Sequence, residues 1–289
     1  MGRERAPQQQ VTFWDDSEVS GRSGGRGQWI GAARREVLRE FGARLSDHKE
    51  VKGCGRVIGG VRFTCRRKWL CPTCGYKAFR REAVKLKRRL RSWTADGGAT
   101  VLLTVTQSRC SSGGLAMLWS RGESGWASVV RGSGWIADKR VYGIRAYTRI
   151  THVVHHPAKG WNVHFHVIFF LDRELDPSRL DGLRSSLAKR FVRGVARGGG
   201  DASLDRQDLV PVKPGTEETL ANYCLNGTTG RTSRGGSLTP IAILDHLERT
   251  GEGRASWDEF TATVLAQRRM QVVTSSRIDE LRPQGHYSC

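Results

Sequence analysis

Four cysteines crowd into one short stretch as Cys54-x10-Cys65-x5-Cys71-x2-Cys74, and no other feature of the chain limits its folding so sharply. The last pair sits in Cys71-Pro72-Thr73-Cys74-Gly75, where a tight turn lets two thiolates converge on one ion. Four thiolates make a closed tetrahedral Zn2+ site, structural in kind because no position is left for a substrate. The alternative is four buried free cysteines. A disulfide framework fits less well: the chain has seven cysteines, an odd number, and Met1 to Arg26 lacks the apolar core and cleavage site of a secretory signal. A metal in a reducing, cytoplasmic compartment is the expectation. Cys110, Cys224 and Cys289 stand alone and read as packing or surface thiols.

The charge balance selects the partner. Over 289 residues, 48 Lys and Arg against 28 Asp and Glu leave a formal +20, which calls for a polyanion. No window approaches the roughly 18 continuous apolar residues of a membrane span, so no membrane partner is expected. Residues 1–30 are polar and glycine-rich, with Val11, Phe13 and Trp14 as the main apolar anchors besides Val19, Trp29 and Ile30, too few to offset the entropy of ordering, and read as a disordered arm.

Residues 31–95 read as a zinc-binding module with a basic amphipathic helix. A short helix over Ala32 to Leu45, with Val37, Leu38, Phe41 and Leu45 at helical spacing, leads into the cysteines. Beyond them Phe79, Ala83, Leu86, Leu90 and Trp93 form one apolar stripe, and Arg80, Arg81, Lys85, Lys87, Arg88, Arg89 and Arg91 cover the rest, a face suited to DNA phosphates.

Residues 96–235 read as an α+β core on an antiparallel sheet. Ala99 to Thr106 is a buried strand, Leu115 to Val130 a helix, and Gly143 to Val154 with Val163 to Leu171 a hairpin whose eight-residue loop holds Pro157 and Gly160. Leu180, Leu183, Leu187 and Phe191 place another helix before Gly198, and Glu217 to Leu225 a short one. Residues 236–289 form a helical segment: Thr239-Pro240 caps a helix ending near Arg249 and Gly251, and Ser256 with Glu259 reads as a capping box opening a helix over Trp257 to Arg269.

In Trp161-Asn162-Val163-His164-Phe165-His166 two histidines are separated by one apolar residue, so on a strand they share a face. Two imidazoles on one face can hold a divalent cation with an open position, the arrangement that metal-assisted phosphoryl chemistry needs. A third ligand is required. His152 is one candidate, and Gln107, His155 and His156 are weaker ones. Imidazole suits zinc, iron or nickel, whereas Mn2+ and Mg2+ are the usual partners of phosphate, which leaves the ion open. Tyr223, one of five tyrosines, lies in the short helix downstream. A phenol of pKa about 10 becomes a nucleophile only with help from a cation or a polarised phosphate; otherwise it caps the core.

Taken together these pieces resemble the rolling-circle replication initiators of bacterial plasmids, in the HUH-endonuclease superfamily, most closely those of actinomycete plasmids. The likeness runs through Thr64-Cys65, Trp69-x-Cys71-Pro72-x-Cys74 and Arg80-Arg81-Glu82 to Leu103-Thr104-Val105-Thr106 as a first motif. It continues with Gly160-Trp161-x-x-His164-Phe165-His166-Val167 as a second motif, Tyr223-x-x-Asn226 as a third, and Thr239-Pro240-x-x-Ile243-Leu244 with the helix from Trp257. It spans roughly Cys54 to Leu281. The chain departs from the family at Asn162-Val163, where His-Pro is usual, at Arg149, where an acid is usual, and at Asn226, where a lysine is usual.

The resemblance implies a central antiparallel sheet with flanking helices. It further implies that His164 and His166 hold Mn2+ or Mg2+ against a phosphate, with His152 in place of the missing acid. Tyr223 is then the nucleophile that nicks one strand at a plasmid origin, leaving a 5′-phosphotyrosyl link and a 3′-OH primer. The helix Arg80 to Arg91 and the cysteine module contact single- and double-stranded DNA at the origin, and of Trp119, Trp126, Trp135 and Trp161 at least half are expected to pack in the core and the others to offer stacking faces for bases. Glu217 and Glu218 lie near the position from which some initiators activate the terminating water. Host helicase and polymerase are the implied partners. Alternatives are a non-catalytic zinc-containing regulator of the origin and a transposase of the same superfamily.

Overall fold

The structure, a computed structural model, describes residues 30–109, 114–226, 236–266, 271–275 and 278–284. All but the last residue of the expected disordered arm, together with Cys110 and Cys289, lies outside the described residues. Helix α1 (Ala32–Leu45) and the short α2 (Lys49–Gly53) precede a small hairpin, β1 (Val57–Ile58) with β2 (Val61–Arg62). Then follow α3 (Pro72–Ala95), β3 (Ala99–Thr106), α4 (Leu115–Val129), α5 (Gly132–Tyr142), β4 (Ile144–His156) and β5 (Gly160–Leu171). The rest comprises α6 (Pro177–Arg197), β6 (Asp208–Pro211), α7 (Glu217–Asn226), α8 (Pro240–Thr250), α9 (Arg254–Ala266) and β7 (Val272–Thr274).

The α+β expectation holds: five strands form one antiparallel sheet in the order β6-β3-β5-β4-β7, covered by helices on both faces. Strand alternation makes the two faces chemically different. Phe165, Val167, Phe169 and Leu171 of β5 pack with Val101, Leu103 and Val105 of β3 against α4 and α6, in the larger of two apolar cores. The cross-packing of α4 and α6 is close because Gly125 and Gly194 lack side chains; a Cβ at Gly125 would sit 2.8 Å from the Phe191 ring. The opposite face carries Leu102, Ala146, Ile150, Ile168 and Phe170, covered by the apolar stripe of α3 and by Leu220, Ala221, Cys224 and Leu225 of α7.

The stripe Phe79, Ala83, Leu86, Leu90 and Trp93 is buried along its length. The helix starts earlier than its periodicity suggests, because Cys71 and Pro72 form its N-cap and first turn. At its far end the Trp93 indole donates to Leu171 O at 2.8 Å, fixing α3 to the sheet. Val37 in α1 is exposed and contributes little to the core.

Three sequence expectations are corrected. The hairpin strands are longer than expected and the loop shorter: Pro157, Ala158 and Lys159 alone join β4 to β5, with Gly160 in the left-handed region at φ 68. A three-residue connection closed by a left-handed glycine matches the twist of the paired strands, so the ladder runs to its end. Ser256 does not open a helix; α9 begins at Arg254. Glu259 instead takes two long-range donors, Leu115 N at 2.6 Å and Trp161 Nε1 at 2.7 Å, and so caps α4 and anchors β5. Finally, Trp119, Trp126 and Trp161 are buried, and Trp135 packs on Tyr147 and Phe169. Their area is worth more in the core than as open stacking faces.

Glu259→Ala leaves the first turn of α4 and a buried indole unsatisfied, and is expected to cost about 2 kcal/mol in urea unfolding, whereas Ser256→Ala stays within about 0.5 kcal/mol. Equal effects of the two changes would restore the capping box.

Candidate active site

The cysteine cluster is built as the spacing requires. Sγ of Cys54 lies 3.6 Å from those of Cys71 and Cys74, and Cys65 Sγ lies 3.7 Å from Cys74 Sγ. A tetrahedron with about 2.3 Å metal–sulfur bonds has edges of about 3.8 Å, while a disulfide needs about 2.05 Å. All four cysteines are buried and form a cluster that could hold a metal ion. Backbone amides point at the sulfurs, Cys65 N at Cys54 and Cys74 N at Cys71, each at 3.5 Å. Gly75 is obligatory beside them, since a Cβ there would sit 2.4 Å from Lys68 O. In the absence of a cation, hydrogen bonding to Cys65 and Cys74 together with burial pushes the Cys71 thiol far up, so Cys71 keeps its proton until a cation displaces it.

The second cluster lies on the α3–α7 face of the sheet. His152 pairs with His164 across β4 and β5, and His166 pairs with Ile150 on one side and Thr104 of β3 on the other. The ring centroids are 4.4 to 5.1 Å apart, and one nitrogen from each ring lies within 4.8 Å of the other two. Among the expected candidates for the third ligand, the structure brings His152 into the cluster. Gln107 donates to Leu118 O at 2.8 Å, His155 packs on Trp161, and His156 Nδ1 accepts from Ala158 N at 3.0 Å inside the hairpin turn.

Each ring has one nitrogen engaged outside the cluster. His166 Nδ1 meets Thr104 Oγ1 at 3.1 Å, His164 Nδ1 meets Asn162 Oδ1 at 2.9 Å, and His152 Nε2 meets Cys224 O. The carbonyl acceptors at His164 and His152 must receive a proton, so the lone pair of each of those rings is left on the other nitrogen. His166 Nε2 is buried with no hydrogen-bond partner. This is the support that metal-binding histidines receive from outer hydrogen bonds. Burial holds His152 down at about 4; burial, then the charges of His152 and Arg109, holds His164 down at about 3; and burial puts His166 well below its ordinary range. All three are therefore neutral imidazoles at physiological pH, the form that can ligate a metal ion.

Tyr223 is brought to this cluster by α7. Its ring lies 5.2 Å from that of His166, edge to face, and the next residue supplies the carbonyl that orients His152. The two glutamates considered for water activation are committed elsewhere: Glu217 accepts from Gly215 N at 2.9 Å, and Glu218 pairs with Lys87. Asn226 ends α7, and its side chain lies outside the described residues.

Arg149 does not occupy a ligand position. It faces the opposite side of the sheet, where it forms a bidentate ion pair with Glu123 at 2.6 and 3.0 Å and lies 4.5 Å over the Phe165 ring. Strand parity separates it from His152 by three positions, an odd number, so an acid at 149 would not reach the cluster either. The basic helix is also divided in use. Arg80, Arg81, Lys85, Arg88 and Arg91 are exposed, whereas Lys87 is tied to Glu218 and Arg89 to Asp279 at 2.7 Å.

One residue escaped the sequence reading. Arg109, three positions beyond Thr106, has its Nη1 buried without a hydrogen-bond partner, and burial with the nearby Arg206 charge lowers its pKa. Its charge acts on His164 and His155. Nothing in the local sequence marks it, because only the pairing of β3 with β5 brings it near the histidines. Among the described residues no carboxylate joins the His cluster. A divalent ion held by three neutral rings would keep its full charge, and with the Arg109 charge acting on His164 the site would favour an anionic ligand. Comparisons of the chain with protein-family models, with curated proteins and with solved structures return no match.

The histidines give the metal-free cluster a definite pH dependence. Unfolded histidine takes up a proton near 6.5, whereas folded His152 waits until about 4 and His164 until about 3. The unfolded chain thus binds more protons in this window, and stability falls as pH drops from about 6.5 toward 4. At matched zinc content His152→Gln is expected to flatten the change in urea midpoint across that window; an unchanged slope would mean that the histidines titrate normally. For the cysteines, Cys71→Ser is expected to weaken the thiolate-to-metal absorption of the cobalt-loaded protein, and a band of undiminished intensity would show that the four sulfurs do not share an ion.

Proposed function

We propose that the protein is a replication initiator of the rolling-circle type, which nicks one DNA strand at a plasmid origin through Tyr223. The observation that carries this reading is the meeting of a tyrosine ring with three neutral, oriented histidines at a site to which no carboxylate among the described residues contributes. Such a site favours a phosphate diester over a neutral substrate. His152, His164 and His166 would hold a divalent ion, Mn2+ or Mg2+ in this reading, which would polarise a phosphate oxygen and so make phosphorus electrophilic.

The chain's own groups do the rest. Tyr223 Oη attacks phosphorus and gives up its proton, the bond from phosphorus to the 3′ oxygen breaks, and the leaving oxygen takes up that proton, directly or through water, to become the 3′-OH. The strand's 5′ phosphate stays on the tyrosine as a diester, so the bond energy is kept for rejoining. Arg109 supplies a fixed positive charge for the phosphate, the role left open at Asn226. α7 packs on α3 and is tied to it by the Lys87–Glu218 pair, contacts that would position the phenol for attack. The exposed arginines of α3 bind flanking phosphates. The cysteine cluster, closed to substrate, would hold structural Zn2+.

The test is a denaturing gel with Mn2+ and single-stranded oligonucleotides tiled across the replicon's origin. The unaltered protein is expected to give a protein-linked 5′ fragment. Tyr223→Phe should give none, His164→Ala at least about a hundredfold less, and Arg109→Ala about ten- to a hundredfold less. Binding without cleavage by all four proteins would leave a zinc-containing regulator of the origin in its place.

A further inference from the structure

The cysteine module carries a feature that the nicking reaction does not use. Between Cys54 and Cys65 the chain leaves the cluster, turns and comes back as the β1–β2 hairpin, with Val57 opposite Arg62 and Ile58 opposite Val61. The turn is Gly59-Gly60, both at positive φ (56 and 78), and no other atom lies within 4 Å of a Cβ built on either. The tip therefore stands free of the rest of the described protein. Its aliphatic side chains are exposed on both faces: Val57 at 67%, Ile58 at 69% and Val61 at 71%.

The base of the hairpin is rigid. Gly55 N donates to Phe63 O at 2.9 Å, Phe63 N to Arg56 O at 2.8 Å, and Cys65 N to Cys54 Sγ at 3.5 Å, so both ends run straight into the cysteine cluster. Arg39 donates to Cys54 O from α1. A two-stranded hairpin is marginal in water unless it is anchored, and here the anchor is the cluster. β-branched side chains at the tip are stiff about χ1. The hairpin reaches on the order of 15 Å beyond the cysteines, more than the roughly 8 Å depth of a DNA groove.

The surroundings select the occupant. Between residues 49 and 68 the chain carries seven Lys or Arg and a single acid, Glu50. Glu50 pairs with Arg67 and Glu36 with Arg62, and Arg56 and Arg66 stand exposed at either side of the hairpin base. A basic collar around an apolar tip fits a polyanion that has an apolar interior, and repels a basic protein surface such as a second copy of this +20 chain. The tip residues are aliphatic, which makes them wedges between base pairs rather than platforms for stacking unpaired bases.

We propose that the β1–β2 hairpin is a wedge for duplex DNA: Arg56 and Arg66 engage phosphates, and Val57, Ile58 and Val61 enter between base pairs and unstack them. This deepens the reading above, since it gives the protein its own means of turning duplex into the unpaired strand that Tyr223 needs.

The test uses the full chain with Tyr223→Phe, so that no cleavage intervenes. Permanganate reactivity of thymines in supercoiled plasmid DNA reports unstacking, and anisotropy of a short labelled duplex across KCl concentrations reports binding. The hairpin-intact protein is expected to make thymines reactive. Val57→Ser/Ile58→Ser/Val61→Ser should lower that reactivity about tenfold or more with the salt slope unchanged, and Arg56→Ala/Arg66→Ala should make the slope shallower by about 1.8. Zinc content equal to that of the parent establishes folding, and Ile58→Ser alone, at an exposed site, should give a partial loss. With Tyr223 restored, the serine variant should keep full adduct yield on single-stranded oligonucleotides, which separates this wedge from the nicking reaction. Equal reactivity with and without the apolar tip, or none from the intact hairpin, overturns the proposal. So does a change in sedimentation coefficient with DNA binding unaltered, which would make the tip a contact between copies.

Discussion

The pairing of β4 with β5 sets the rest of the structure. Its register places His152 opposite His164, and the period of two along each strand then sends His166 to the same face while Phe165 and Val167 go to the other. One slip of a residue would exchange the two sets, burying imidazoles among α4 and α6 and exposing Phe165 to the site. The register is held by apolar residues along both strands, by a three-residue turn ending in left-handed Gly160, and by Glu259 gripping Trp161. The chemistry of the site and the packing of the main core are thus two faces of one ladder.

The second organising element is α3, which joins the cysteine cluster to the site. Its first turn is part of the cysteine motif, its apolar stripe covers the face that carries the histidines, and it supports α7, on which Tyr223 rides. An ion on the four cysteines would therefore stabilise the helix against which α7 and Tyr223 are packed, without itself reaching the histidines. The cost of that arrangement is visible in the charges: Lys87 and Arg89 serve as internal ties, and a smaller set of arginines remains open to a ligand.

Much of this was legible in the chain. The cysteine spacing, the stripe of α3, the capped and terminated α8 and the His-x-His parity are local patterns, and local patterns survive folding because neighbours in sequence stay neighbours in space. The reading failed where a side chain had two possible partners. Ser256 and Glu259 have capping-box spacing, but Glu259 met a distant helix terminus and an indole first. Arg149 sits near the histidines in sequence and on the far side of the sheet in space. The strands β6 and β7 and helix α5 were too short or too weakly patterned to declare themselves.

Residue types and spacings alone determined that this chain can gather four thiolates, align two imidazoles, carry a strong positive field and offer a tyrosine on a short helix. Those properties follow from covalent spacing, strand and helix periods, and charge. Tertiary structure decided that the third imidazole is His152, that Thr104, Asn162 and the Cys224 carbonyl orient the rings, that Tyr223 faces His166, and that Arg109, its Nη1 buried without a hydrogen-bond partner, acts on His164 by its charge. The physical reason is that, apart from the His164–Asn162 bond, which joins residues two apart on one strand, each of these contacts is made across strands or between helix and sheet. The residues involved lie far apart in sequence, and no local period connects them.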